Sequence, residues 1–204
     1  MLKFLTLTVA AALAVPVLAA PAASPELAQV QQHLRSTPSM TANFTQTDRA
    51  GKVLTGTVTL KKPGRIRFQY EKGVPILIVG DGKDLWFLDY SVGQKSRWPI
   101  GNSPLGVLLD PSKDLSRFAT VQPSANPNVV SIEARDPKRP EFGRITMVFA
   151  RQASAPGGLM LQGWVALDSQ NNRTTIRLSN QKFDVPVSDG AFRWRDPQRG
   201  GPRS

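Results

Sequence analysis

Apolar and polar residues alternate along most of the chain with a period of two, beginning near Thr41. The segment 65–70 is the clearest example, because Ile66, Phe68 and Tyr70 would share one face while arginines lie on the other. This pattern is typical of antiparallel strands that have one buried and one solvated face. Turn-forming residues separate the runs, which predict strands at 53–60, 65–70, 75–80, 84–89, 94–98, 117–122, 129–134, 144–150, 159–167 and 174–179.

The first helical pattern lies just before the alternating region. Within 26–35, the residues Leu27, Val30 and Leu34 form one helical stripe. The segment 36–39 reads Ser-Thr-Pro-Ser and predicts the end of this helix.

A second short helix is predicted in the middle of the chain. Ser103 would be its N-cap and Pro104 its first residue, since both residue types are favoured at these positions. Leu105, Leu108 and Leu109 would then share one face, which requires this helix to lie against an apolar surface.

Together these elements predict a mainly β protein built on one large, strongly curved antiparallel sheet. Two short helices supply little cover for the apolar face of such a sheet. Either the sheet closes into a complete barrel, or part of its apolar face is open to an apolar ligand. A packed barrel core without a ligand explains the pattern as well as a binding cavity does.

The composition argues against catalysis. The 204 residues include 26 Lys+Arg, 15 Asp+Glu, one His and no Cys, for a net charge of +11. The lack of cysteine excludes disulfides, thiol catalysis and cysteine-based zinc sites. His33 would have to be the base of any hydrolytic triad, but its place in a helix is more typical of a surface or helix-end residue. Asp81, Asp84 and Asp89 lie close together, yet Asp81-Gly82 is typical of a turn. We therefore expect no catalytic residue, no metal and no cofactor.

The basic residues are dispersed over the predicted solvent faces of several strands, at Arg65, Arg67, Arg97, Arg117, Arg144, Arg173 and Arg177. Proteins that bind nucleic acids concentrate this charge in one stripe and expose aromatic residues beside it. We therefore expect no nucleic-acid partner. A basic surface remains compatible with anionic membranes or acidic partners.

The N-terminal segment has the features of a secretory signal. Lys3 precedes an apolar run over 4–18, and a small-residue cleavage site follows at Ala19, with Ala22 as the alternative. An uncleaved anchor helix is the other interpretation, but the run is short for a membrane span. The expected mature protein is an exported, soluble monomer with one domain over 24–197 and a flexible basic tail over 198–204.

Several segments, taken in order, resemble the LolA family of periplasmic outer-membrane lipoprotein carriers. The resemblance is carried by Ala42-Asn43-Phe44-Thr45-Gln46, by 56–70 (GTVTLKKPGRIRFQY), by 80–89 (GDGKDLWFLD), by Gln94 and by Gly101-Asn102-Ser103-Pro104-Leu105. Near the C-terminus, Phe192-Arg193-Trp194 with Asp196-Pro197 is similar to the strand that ends many alphaproteobacterial members. The related LolB proteins share the fold but are lipoproteins, so the absence of cysteine favours the soluble carrier.

The resemblance implies an incomplete β-barrel covered by helices, whose apolar concavity accepts the acyl chains of outer-membrane-directed lipoproteins. It also implies an inner-membrane ABC transporter of the LolCDE type as the donor and a LolB-type protein as a candidate acceptor.

Two positions depart from the family pattern. Lys62 stands where the family usually has an arginine that holds the covering helix through backbone carbonyls, so Lys62 is the candidate lid latch, without the planar fork of arginine. Ile66 stands where enterobacterial carriers have an aromatic residue important for hand-off. Strand parity and the resemblance together predict a lipid-binding cavity lined by Val58, Leu60, Ile66, Phe68, Tyr70, Leu105, Leu108, Leu109, Ile145, Met147 and Phe149.

Two other functions remain open at this point. One is a carrier or sensor of another lipid or amphiphile with the same fold. The other is a basic, polyanion-binding β module whose core has no ligand cavity.

Overall fold

Eleven antiparallel strands form one continuous sheet in the computed structural model, which describes residues 24–102 and 105–198. The predicted signal segment 1–19 and the tail beyond residue 198 lie outside the described residues. The strands are β1 (Ser39–Thr47), β2 (Val53–Lys61), β3 (Arg65–Tyr70), β4 (Ile76–Asp81), β5 (Asp84–Asp89), β6 (Gln94–Pro99), β7 (Ala119–Gln122), β8 (Val129–Arg135), β9 (Arg144–Arg151), β10 (Leu159–Leu167) and β11 (Arg173–Phe183).

The sheet consists of two meanders joined through the first and last strands. Its order is β6-β5-β4-β3-β2-β1-β11-β10-β9-β8-β7, so β1 pairs with both β2 and β11. Strands β6 and β7 form the two ends of this order and do not pair with each other among the described residues. The prediction of an open, incomplete barrel is therefore confirmed, and a barrel closed by strand pairing is wrong.

The sheet curls strongly toward one face. The rings of Phe68 on β3 and Trp164 on β10 lie 6.1 Å apart between centroids. Four strand spacings separate β3 from β10 in the sheet order, which is about 19 Å in a flat sheet. The face that carries these two rings is therefore concave.

Two short helices cover the concave face: α1 (Pro25–Arg35) and α2 (Gly106–Leu109). Helix α1 begins one residue before the predicted start, and the side chain of Ser24 caps it by accepting a hydrogen bond from the Leu27 amide at 3.2 Å. Helix α2 begins at Gly106 with Leu105 at the N-cap position. Ser103 and Pro104, which were predicted to begin it, lie outside the described residues.

Strand β1 was not among the predicted runs, and two predicted strands differ from the structure by more than one residue at an end. Residues Leu115–Arg117 form a 3-10 turn capped by the side chain of Asp114, so β7 is shorter than the predicted strand 117–122. Strand β11 is longer than predicted, because its polar end continues to pair with β1 beyond an irregularity in register.

A second apolar cluster lies on the convex face, where the alternation predicted only solvent. Leu77 and Val79 of β4 and Leu88 of β5 are buried there against Phe192. Phe192 belongs to a 3-10 turn (Asp189–Phe192) of the C-terminal segment. The strand expected at 192–194 from the family resemblance is wrong, since no strand follows β11 in the described residues.

Candidate functional site

The predicted cavity residues lie together on the concave face. Those of β2, β3 and β9 belong to one apolar cluster, and Leu108 and Leu109 of α2 join them. Leu105 is half-buried and packs against the same cluster. Ile145, Met147 and Phe149 have no exposed surface at all, so their side chains are enclosed by the cluster. The structure thus shows the site closed, with the covering helices in contact with the sheet; a lipid-binding role for these residues stays a prediction.

Aromatic rings occupy the centre of the concave face. Phe44 of β1 packs edge-on against Phe68 at 5.2 Å and against Tyr70 at 5.1 Å between ring centroids. Phe68 in turn packs against Trp164. Phe44 and Trp164 were missing from the predicted cavity, although the alternation Met40-Ala42-Phe44 in β1 contained the signal for Phe44. Large side chains thus bridge the two meanders.

One polar pair lies at the margin of this aromatic group. The Tyr70 hydroxyl donates a 2.7 Å hydrogen bond to Oε1 of Gln46 on β1. Burial raises the pKa of Tyr70 to about 12, so the phenol stays protonated at neutral pH. The hydroxyl therefore serves as a satisfied polar group rather than as an acid or base.

His33 faces the interior rather than solvent, so its interpretation as a surface residue is wrong, while its interpretation as a helix-end residue is confirmed, since it lies in the last turn of α1. It is 2% exposed, and its ring packs edge-on against Phe149 at 5.4 Å. Its Nδ1 lies 2.8 Å from the backbone oxygen of Pro156 and must donate, because a carbonyl only accepts. Burial lowers the pKa of His33, so it is neutral at pH 7 and ties α1 to the 156–158 turn.

Lys62 lies directly beneath the C-terminal end of α1. Its Nζ donates a hydrogen bond to the Leu34 carbonyl, one of the helix-end carbonyls that lack a partner within the helix. A cation is also favoured there by the helix dipole. Desolvation by burial lowers the pKa of Lys62 to about 8. Lys62 thus contacts the end of α1 through a backbone carbonyl, and its role as a latch stays a prediction.

The acidic residues singled out in the sequence have structural partners. The Asp81 carboxylate accepts hydrogen bonds from the amides of Lys83 and Asp84 and from the Trp86 indole. Asp84 is buried and lies 3.7 Å from the Arg97 guanidinium. These contacts confirm that Asp81-Gly82 forms a turn. Among the described residues, no cluster of His, Asp or Glu is arranged to hold a metal ion.

The concave face is least covered at its β6 end. Leu85 and Phe87 of β5 are half-buried there, and Trp98 of β6 is 49% exposed. Cross-strand pairing places Trp98 opposite Leu85, on the same face as the buried core. An apolar margin therefore leads from solvent to the closed cluster.

By fold and site, the protein is an open antiparallel sheet whose apolar concave face lies under two short helices. The family model described as "Outer membrane lipoprotein carrier protein LolA" matches residues 35–195. The chain belongs to the LolA family of lipoprotein carriers.

Individual relatives share this description at low identity. An outer-membrane lipoprotein carrier protein of Chromobacterium violaceum is 28% identical over 190 residues, which cover 89% of this chain and 88% of the relative. The carrier of Dechloromonas aromatica is 27% identical over 178 residues, with 83% of each chain covered. A DUF1329 family protein from Desulfovibrio piger shares the fold, with a TM-score of 0.52 and 13% identity over 85% of this chain and 97% of that one. Within the described residues, no helix has the length and apolar character needed to cross a membrane.

Proposed function

We propose that this protein carries lipoproteins through the periplasm from the inner to the outer membrane by enclosing their acyl chains beneath α1 and α2, without catalysing a reaction. The observation that carries the proposal is the large apolar concave face of an open sheet, which is covered by separate short helices instead of further strands. Family membership supports the class of cargo.

The cargo needs such a site for thermodynamic reasons. At about 0.8 kcal/mol per methylene, three chains of about fifteen methylenes each would expose on the order of 36 kcal/mol of unfavourable hydration in water. A carrier must offset much of this free energy and still release the cargo. The apolar face offsets the hydration cost, and a closed, cargo-free state helps release, because the side chains of the covering helices compete with the acyl chains for the same face.

The two covering helices, here called the lid, are the part of the protein that would move. Helix α1 buries Leu27, Val30 and Leu34 against the sheet, and α2 buries Leu108 and Leu109. Replacing these side chains with acyl chains leaves the sheet itself unchanged. An acyl chain would enter first at the apolar margin near Trp98, where the concave face is only partly covered.

Lys62 would hold the lid in the cargo-free state, and a LolCDE-type transporter and a LolB-type acceptor would be the partners at the two membranes. The aliphatic side chain of Ile66, on β3, is buried in the concave apolar cluster. If hand-off uses this position, it would rely on shape and apolar contact rather than on an aromatic ring.

Native mass spectrometry of the protein purified from periplasm without detergent tests the proposal. The protein is exported with its own signal segment, and the transporter is co-expressed. We expect masses that correspond to one triacylated lipoprotein per carrier. A phospholipid mass without lipoprotein would favour a carrier of another lipid, and cargo-free protein that also fails to bind an apolar dye would overturn the apolar site.

Photo-crosslinking from a single strand tests the location of the cargo. A photoreactive phenylalanine analogue replaces Phe68, whose side chain faces the concave cluster, or Gln69, which is exposed on the convex face. We expect lipoprotein adducts at position 68 and none at 69. Equal adducts at both positions would place the cargo elsewhere.

A further inference from the structure

The turn between β2 and β3, residues 61–65, contacts both helices of the lid. On the concave side, Lys62 Nζ donates to Leu34 O at the end of α1. Two residues later, the Gly64 amide donates a 3.0 Å hydrogen bond to Leu109 O at the end of α2. Gly64 has a φ of +72°, and a Cβ atom there would lie 2.5 Å from Gly82 O, so the turn fits only with glycine against the β4–β5 turn. A single turn thus holds the ends of both covering helices.

The same turn is tied on its convex side to the C-terminal segment 185–198, here called the strap. Lys61 Nζ donates to Val187 O at 3.0 Å and to the Asp189 carboxylate at 2.6 Å. Arg65 forms a salt bridge with the same carboxylate. Hydrogen bonds from Arg65 and Lys61 lower the pKa of Asp189 to about 2, so this carboxylate is ionised at neutral pH.

Lys61 and Arg65 are directly opposite each other across β2 and β3. Two cations at such positions repel each other and destabilise the pair of strands. Asp189 bridges both of them, so its charge offsets their repulsion at the point where the turn begins. Lys62 and Gly64 lie between these two strand ends, so a disturbance of this charge balance acts directly beside their contacts with the lid.

We infer that Asp189, on the outer face of the sheet, is a positioning residue for the lid on the inner face, and that the strap and the lid are coupled through the β2–β3 turn. The term lid rests on the proposed carrier function, but the coupling is a property of the cargo-free protein. By linkage, loosening the strap weakens the closure of the lid, and opening the lid weakens the attachment of the strap to the same extent. Cargo entry on the concave face would then loosen the strap on the convex face.

The test is amide hydrogen exchange measured by mass spectrometry on the cargo-free protein. The variant Asp189→Asn removes the bridging charge without changing the size of the side chain. Its matched control is Asp196→Asn, because Asp196 is also a strap carboxylate paired with a lysine, Lys95 of β6, at 2.7 Å, far along the strap from the turn.

We expect Asp189→Asn to speed exchange in the strap, in the last turn of α1 and in α2 by about fivefold, the lower end of typical coupling between sites. Asp196→Asn should speed exchange in the strap alone. Asp189→Glu, which keeps the charge, should restore much of the protection of α1 and α2.

A further variant traces the route of the effect. In a Lys62→Met background, Asp189→Asn should add little to the exchange of α1, because the connecting contact is already absent. Unchanged exchange of α1 and α2 in Asp189→Asn would overturn the coupling, as would equal effects of the two strap variants on the lid. Since no lipoprotein takes part, such a failure is distinct from a failure of the protein to load cargo.

Discussion

The two apolar clusters on opposite faces of the sheet are both closed, but they are covered in different ways. The concave cluster lies beneath the two lid helices, of which α1 buries one face and α2 is buried over its whole length. The convex cluster lies beneath the irregular strap, whose backbone is held residue by residue. Arg67 donates to the carbonyls of Ala191 and Arg193, and the Tyr90 hydroxyl donates to that of Arg195.

This difference indicates which cover can move as a unit. Helix α1, with 11 residues, forms most of its own backbone hydrogen bonds, so it can leave the sheet with few newly unsatisfied groups, while the single turn of α2 forms fewer such bonds. The strap has backbone hydrogen bonds of its own only around its 3-10 turn among the described residues, and several of its carbonyls accept from side chains outside the strap and would lose these donors one by one. The apolar character of a face therefore does not identify a ligand site by itself; the convex face is apolar in order to hold the strap.

The largest expected effect comes from a charge placed in the concave cluster. Phe68→Glu should abolish the binding of acyl chains, because an unpaired carboxylate would lie where Phe68 is now 3% exposed. It should also lower the free energy of unfolding by on the order of 4 kcal/mol. Lipoprotein loading and urea denaturation measure the two effects.

The control for this variant is Gln69→Glu on the same strand, which places the same charge on the exposed face and should change neither quantity. A folded Phe68→Glu protein that loads cargo normally would contradict the location of the site.

On the convex face, truncation should affect stability and leave ligand binding intact. Phe192 is 4% exposed and fills the space above Leu77, Val79 and Leu88. Phe192→Ala should therefore lower the free energy of unfolding by about 3 kcal/mol, while an apolar dye still binds to the concave face. Val187→Ala is the control, because it removes a smaller, partly buried side chain from the same strap and should lower the free energy of unfolding by less. A loss of dye binding in folded Phe192→Ala would contradict the separation of the two clusters.

The sequence predicted the sheet and the inward residues well because both depend on local alternation. Strands β3, β5 and β10 match the predicted bounds, since their patterns end at clear turn residues. The same parity placed Phe68 and Met147 on one concave face. These properties require only that neighbouring residues point to opposite sides of a strand.

The remaining features depend on long-range contacts. Burial of His33 requires the 156–158 turn and Phe149, more than a hundred residues away. The strap has no periodicity, so its position could not be predicted from pattern. One signal was present for the convex cluster, because the continuous apolar run 76–79 is typical of a strand buried on both faces.

A smaller effect is expected from the contact between the sheet and α1. Lys62→Leu leaves the Leu34 carbonyl without its donor, which should favour opening of the lid by about 1.5 kcal/mol, or roughly tenfold tighter binding of an apolar dye. Lys62→Arg keeps the charge and adds a planar fork, so it should weaken dye binding relative to Lys62→Leu. Fluorescence titration of the cargo-free protein measures the affinities, and identical values for all three proteins would mean that Lys62 does not hold the lid.

The smallest expected effect is the dependence of stability on pH through the same lysine. Burial lowers the pKa of Lys62 to about 8, below its value of about 10.4 in the unfolded chain. Above pH 8 the unfolded chain therefore binds more protons than the folded protein, and this group makes the free energy of unfolding rise with pH. The slope is limited to about 1.4 kcal/mol per pH unit, so the gain between pH 8 and 9 should be about 1 kcal/mol or less.

The pH range over which the free energy of unfolding rises is limited at its upper end by the titration of Tyr70. Its pKa is raised by burial to about 12, so the unfolded chain would lose the phenol proton first, and stability would fall above about pH 10. Urea denaturation of the wild type and of Lys62→Leu at pH 8 and 9 isolates the lysine, since all other groups are shared. The wild type should gain stability relative to the variant between pH 8 and 9, because only the wild type has a buried lysine, and losing its proton removes the cost of burying its charge. An equal change in both proteins would mean that the lysine is solvated when the lid is closed, and that the contact between β2 and α1 is open to water.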